Sequence, residues 1–305
     1  MNNLATQLLT SGNFVGLKTR PARALIGWLT ERDAQILLGI PLHPVEPSPA
    51  DIQRVALAHA AVASRAPGID QIHAVSAIDD ALRDYALEIE KQPHYRNYLT
   101  HGCTLRIAHL PDLCALQPIV HLDYAASAEH FPELIERVDP QDMVSVARVT
   151  LPLTAPAPPR VSFESQQRAW TVHSANPDIR ILTNFSGRIE MAPGLFAMGY
   201  GFCVAQPISV TQVVLYRGRY FLKDGYHRCL ALLQRGISRV PVIFQDLGET
   251  QALAVEGRFG DEVILGEHPP KFADYLRNDV VAAVSALAFS KTVVIRAEES
   301  HSWGT

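Results

Sequence analysis

The chain has 305 residues, 48% of them hydrophobic and 19% charged. That composition excludes a disordered chain and provides ample core for one large or two modest domains. Its 27 basic and 31 acidic residues leave a net charge of −4, which offers no broad cationic footprint for nucleic acid and leaves room only for a local basic patch.

No apolar run reaches the length of a membrane span, and the first residues lack a secretory pattern. Cys103, Cys114, Cys203 and Cys229 show no close pairing, which predicts reduced thiols and neither a zinc site nor a disulfide scaffold. The expectation is a cytoplasmic protein with no membrane partner; self-association is left open.

The first third reads as helical. Pro21 to Leu38 has apolar residues at helical spacing, with Glu31 and Asp33 on the polar side. Ser48-Pro49-Ala50-Asp51 is a helix start: Ser caps, Pro sits in the first turn, and an acid follows three positions after the cap. Ile52, Val55, Ala56, Val62 and Ala63 then share one face, and His59 lies on it as a hydrogen-bonded core or edge side chain. A third helix is predicted from about Ser76 through Glu90, with Pro93 ending it. His94 and His101, with Tyr95 and Tyr98, then bracket a loop.

After Gly102 the pattern turns to β. Thr104–Ala108 alternates, Pro118–Tyr124 is a second candidate strand, and Met143–Leu151 a third, rich in β-branched residues. His121 and Asp123 share a strand face, either as metal ligands in need of a third or as a hydrogen-bonded polar pair. Pro152 to Pro159 is a stiff extended connector. Further β segments are predicted near Ala169–His173 and Ile179–Phe185. In the tail, Val280–Ala288 and Thr292–Ala297 read as strands joined by a turn at Ser290-Lys291.

The most informative stretch is Arg219 to Leu233. Tyr220, Phe221 and Leu222 follow the Arg217-Gly218-Arg219 turn as a strand, and Asp224-Gly225 is a strong turn dipeptide. Cys229, Leu230, Leu232 and Leu233 have helical spacing, Gly236 stops the helix, and Val240–Phe244 is the next strand. A helix start of this kind presents unpaired N–H groups and the positive end of the macrodipole. Arg228 adds a charged fork and His227 a second donor whose charge depends on pH. The arrangement suits an anion, most simply a phosphate; the plainer alternative is a capped helix with surface side chains.

Ala205-Gln206-Pro207-Ile208-Ser209-Val210, then Arg217 through Arg228 with its Asp-Gly-Tyr-His-Arg turn, then Gly236 and Val240-Pro241-Val242, together resemble the core of the ParB and sulfiredoxin superfamily. The resemblance covers roughly Gly199 to Leu247. It implies a ParB/sulfiredoxin-like nucleotide- or phosphate-binding core (160–250); with the helical N-terminal subdomain (1–102) and β-rich intermediate region (103–159) read from the patterning, and a C-terminal extension (251–305), the expected class is α+β.

It also implies a nucleoside triphosphate or diphosphate, with Mg²⁺, held at Gly225, Tyr226, His227 and Arg228. Asp224 is the candidate catalytic carboxylate, with Glu190, Glu164, Asp178 and Asp123 as unranked alternative bases. Sulfiredoxins carry a Cys immediately before the His; Tyr226 stands there in this chain, which argues against reductase chemistry. No helix-turn-helix pattern follows in Gly248–Thr305, which argues against chromosome partition. The classes that stay open are a nucleotide-dependent phosphotransferase or hydrolase, a non-catalytic nucleotide-sensing or scaffold module, and, more weakly, a DNA-associated factor.

Overall fold

A computed structural model describes residues 19–39, 48–122, 135–154, 161–174, 179–205, 208–248, 251–253, 255, 257–287 and 291–296. The chain divides into two compact units: Met1–Leu153 with Ser209–Ala288, and Thr154–Ile208 with Phe289–Thr305. This division cuts across the four segments expected from the sequence, because residues on both sides of position 160 build the same sheet. The class is mixed, with helices and strands interleaved throughout the first unit.

In chain order the first unit begins with β1 (Thr19–Ala24), α1 (Glu31–Gly39), α2 (Pro49–Ala63) and β2 (Val75–Ser76). It continues with α3 (Arg83–Lys91), α4 (Pro93–Thr100), β3 (Thr104–His109), β4 (Cys114–Ala115), β5 (Ile119–His121) and α5 (Met143–Thr150). The second unit contributes β6 (Val161–Glu164), β7 (Ala169–Ser174), β8 (Arg180–Ala192) and β9 (Leu195–Ala205). The first unit then resumes with β10 (Gln212–Tyr216), β11 (Arg219–Asp224), α6 (Tyr226–Gln234), β12 (Arg239–Asp246), α7 (Asp261–Ile264) and β13 (Ala282–Leu287). The last described strand, β14 (Lys291–Arg296), belongs to the second unit.

The larger sheet has the order β2-β3-β12-β10-β11-β4. The β10–β11 hairpin closes through Arg217 and Gly218, both at positive φ (48° and 78°), the geometry of a tight two-residue turn that matches strand twist. β12 lies parallel to β10 and antiparallel to β3. Val213, Phe221, Leu222, Val240 and Val242 are fully buried, so the middle of this sheet is covered on both faces. The smaller sheet, β13-β1-β5, places β1 between two antiparallel partners.

Several expectations are corrected. Pro21–Leu38 is not one helix: β1 and a 3-10 turn at Ile26–Trp28 come before α1. Six residues of β1 pair with β13, far along the chain, and such pairing leaves no local signature. The N-terminal part is therefore not a separate helical subdomain, since β1 and β2 join sheets with later strands.

Met143–Thr150 is a helix and not a strand. Asp142 caps it by accepting from Val144 N at 2.9 Å, and Val146, Ala147, Val149 and Thr150 are buried. Burial of that face outweighs the few tenths of a kcal/mol by which valine disfavours a helix. Pro93 opens α4 as its first residue, so His94, Tyr95 and Tyr98 stand on a helix and not in a loop.

β13 and β14 are both strands, but they do not pair: β13 bonds to β1 and β14 to β7. Gln206 and Pro207 of the sequence pattern lie outside the described residues, as do Asp123, Asp178 and the turn at Ser290; Ile208–Val210 is irregular chain. The capping box at Ser48 and Asp51 is present as expected, and His59 Nε2 lies 3.0 Å from the Leu29 carbonyl oxygen.

In the second unit β8 and β9 form a long antiparallel hairpin. Gly201 and Gly199 lie under the side chains of Phe185 and Ile189, which occupy the space a Cβ would need. Phe185, Met191, Leu195 and Tyr200 along it are exposed. The smaller sheet of this unit has the order β14-β7-β6.

Candidate functional site

The strand-turn-helix read from the sequence is present: β11 ends at Asp224, Gly225 takes the left-handed conformation (φ 91°) as N-cap, and α6 starts at Tyr226. Gly225 is required there for two reasons. Its φ excludes most side chains, and a Cβ would meet Thr211 Oγ1 at 2.7 Å and Thr211 Cα at 2.9 Å. Thr211 is fully buried and tied on both sides, its N–H donating to Thr150 O (2.8 Å) and its carbonyl accepting from Ile243 N (2.9 Å). The glycine therefore serves a close crossing of two chain segments. The Cβ direction of Gly225 is filled by Thr211.

Asp224 accepts from Gly225 N at 2.6 Å, and the Gln212 amide reaches its other oxygen at 3.4 Å. One carboxylate oxygen thus already caps the turn. Tyr226 points into the core and is 2% exposed. Its hydroxyl donates to Leu222 O (2.7 Å) and accepts from Leu116 N (2.6 Å) and, more distantly, Gln117 N (3.3 Å). Its ring stands edge-on to Phe272 and Tyr275. Burial pushes its pKa well above the ordinary phenol value. Tyr226 is a pillar that joins the segment just after β4 (Leu116, Gln117), β11 and α6, and its polar atom is committed to the backbone. Cys229, one turn into the helix, is fully buried beside Thr211 (Sγ to Oγ1 3.9 Å), and burial raises its thiol pKa to about 12. It is no nucleophile at neutral pH.

His227 and Arg228 face another way, and both are partly buried. Arg228 Nη1 donates to the Ser209 carbonyl. Burial lowers the His227 pKa to about 3, helped by the nearby positive or protonatable groups His121, Arg228 and Arg20. The sheet register explains the company. Ala22 pairs with His121, so Arg20, two residues from Ala22, lies on the same face of the small sheet as His121. α6 packs against β5, which brings its first turn to that face.

The structure therefore gathers Arg20, His121, His227 and Arg228 at the positive end of a nine-residue helix. The sequence reading names the last two and misses the first two as partners, because their proximity depends on strand register. At neutral pH His227 is a neutral donor, not the half-charged group its unperturbed pKa suggests.

Glu164 and Glu190 lie on β6 and β8 of the second unit, and Glu190 accepts from Gly194 N at 3.2 Å. Among the described residues no group of three or more His, Cys, Asp or Glu is placed to hold a metal, and no helix is long and apolar enough to cross a membrane. His94, Tyr95 and Tyr98 belong to packing: Tyr95 is fully buried, with its hydroxyl donating to Pro152 O at 3.1 Å. A cleft of about 720 Å³ lies elsewhere in the first unit, between Arg65–Ile72 and His268–Arg277, and neither His227 nor Arg228 lines it. No protein-family model, no curated protein and no solved structure matches the chain.

Proposed function

We propose that the protein is a nucleotide-binding module that holds the phosphates of a nucleoside triphosphate or diphosphate, with Mg²⁺, at the N-terminus of α6. The observation that carries this reading is the convergence of Arg20, His121, His227 and Arg228 there. Two permanent charges, two imidazoles and a helix end form a donor set that fits phosphate oxygens. The nucleotide class rests on the ParB and sulfiredoxin resemblance. Asp224 is the nearest carboxylate for the metal, through the oxygen not bound to Gly225 N.

In this reading Arg228 and Arg20 attract and orient the phosphate, and His227 donates as a neutral imidazole. An anion beside His227 favours its protonated form, so binding raises its pKa from about 3, and proton uptake tightens binding only toward the acid range; near neutrality the ring binds as a neutral donor. Phosphotransfer or hydrolysis is a further step, with Asp224 as its candidate base, and it requires separate proof.

Thermal-shift measurements with ATP, ADP, CTP and GTP plus Mg²⁺ test occupancy. A ligand at about a hundred times its Kd stabilises by roughly 2.7 kcal/mol, which is a shift of several degrees for a unit of this size. Arg228→Ala is expected to abolish the shift while keeping a cooperative melt, and His227→Ala to reduce it. The absence of a shift with all four nucleotides, or an unchanged shift in Arg228→Ala, would overturn the reading. Phosphate release then separates turnover from binding.

A further inference from the structure

The β8–β9 hairpin is a two-stranded sheet, and neither of its outer edges pairs with another described strand. Thr183 through Met198 are exposed throughout, so both faces of this stretch meet solvent. A hairpin by itself is marginal in water and gains its stability from a third strand or a packed apolar face.

Between its two register shifts the hairpin is regular, and the pairing sorts its side chains. Phe202 stands opposite Asn184, Tyr200 opposite Ser186, Met198 opposite Arg188 and Phe196 opposite Glu190. Cross-strand partners, and residues two apart along a strand, share a face. One face therefore carries an apolar stripe from β9 (Phe196, Met198, Tyr200, Phe202) beside a polar row from β8 (Asn184, Ser186, Arg188, Glu190). The other face is filled from within, where Phe185 and Ile189 lie across Gly201 and Gly199. On the striped face the Arg188 guanidinium crosses the Phe196 ring at 3.6 Å, yet Tyr200 remains 78% exposed and Phe196, Met198 and Phe202 are about half exposed.

The stripe leaves roughly 450 Å² of large side chain in water. With its polar row the face approaches the roughly 800 Å² that each partner gives to a stable protein interface. A bilayer is a poor cover for it, because Arg188 and Glu190 would have to enter the hydrocarbon on the same face.

The face is complementary to itself. A two-fold axis lying along the face, across the strands and between the Tyr200 and Met198 rows, sets Phe202 against Phe196 of the partner subunit and Tyr200 against Met198 of the partner subunit. On β8 the same rotation sets Arg188 against the Ser186 hydroxyl and Glu190 against the Asn184 amide. Apolar meets apolar along one strand, donor meets acceptor along the other, and no charge meets its like.

We propose that two copies of the chain dimerise by stacking these hairpin faces, with the Phe196, Met198, Tyr200 and Phe202 stripes buried against each other. The dimer does not depend on the nucleotide reading.

Sedimentation velocity of the full-length protein over a dilution series tests it. Wild type is expected to sediment at twice the chain mass and to dissociate on dilution. Met198→Asp is expected to raise the dissociation constant by about tenfold or more, whereas Thr183→Lys, on the opposite face, leaves it unchanged. Ser186 reads the sign of the group it faces: Ser186→Glu tightens the dimer and Ser186→Lys weakens it. A monomer at every dilution, which would leave the stripe to a different protein or a lipid surface, sinks the proposal. So does a dimer indifferent to Met198→Asp. Should Met198→Asp fail to fold, the two Ser186 variants decide: opposite shifts support the two-fold face, and equal shifts refute it.

Discussion

His227 shows how a setting fixes the state of one side chain. Burial first, and then His121, Arg228 and Arg20, hold its pKa near 3, against about 6.5 in an unfolded chain. Above about pH 6.5 both states are neutral at this ring and the group's contribution to stability is fully present. Between about pH 6.5 and about pH 3 the unfolded chain binds one more proton, so stability falls as the pH falls, by about 1.4 kcal/mol per pH unit for this one group. Urea denaturation at pH 7.5, 6.5 and 5.5 should show that slope in the wild-type protein and a flatter one in His227→Gln. Equal slopes would mean that the imidazole is as well solvated folded as unfolded.

At this same scale, the sequence reveals the pair His227 and Arg228 through their position after Asp224-Gly225. It conceals Arg20 and His121, which reach them only through the register of β1 and β5. It likewise conceals Tyr226 as a core residue, since nothing local announces that its hydroxyl joins Leu116, Gln117 and Leu222.

Among elements, the β11–α6 junction is the most demanding. Gly225 combines φ 91° with a contact to Thr211 that leaves no space for a methyl group. Gly225→Ala is expected to destabilise by about 1–3 kcal/mol, read as a lower urea midpoint, with a larger loss if Thr211 cannot move. A neutral result would show that the crossing of Gly225 and the Thr211 segment is loose.

The junction is legible because turn chemistry is local: Asp-Gly after an apolar strand and before helical spacing has few other readings. α2 is legible for the same reason, through its Ser48 and Asp51 capping box. α5 is not, because its valines favour a strand and only its buried face and the Asp142 cap decide for a helix. β1 is not, because both of its partners lie far along the chain.

For the whole molecule, the first unit is interrupted by the second, yet the two ends of the interruption meet. Thr211 N donates to Thr150 O at 2.8 Å, and the residues just inside are anchored too, with Tyr85 and Tyr95 donating to the carbonyls of Leu151 and Pro152. Replacing 154–208 by a short Gly/Ser linker and ending the chain at 288 is expected to leave the first unit folded. The check is a single cooperative unfolding transition and retention of the mixed secondary structure by circular dichroism. Removing the β8–β9 hairpin also removes its exposed Phe185, Met191, Leu195 and Tyr200, which predicts higher solubility. Loss of cooperative folding would mean that the first unit draws its stability from the inserted one.

The pairing of Thr19 with Leu287 also sets a clock for biosynthesis. A ribosome adding roughly 5–20 residues per second needs about a quarter of a minute to a minute to travel from one strand to the other. Throughout that interval β1 lacks the β13 strand it will later bond. The small sheet is therefore a late event in the life of each new molecule, and any nascent-chain chaperone that covers an early strand has its natural client in the segment around Ala22 and Ala24.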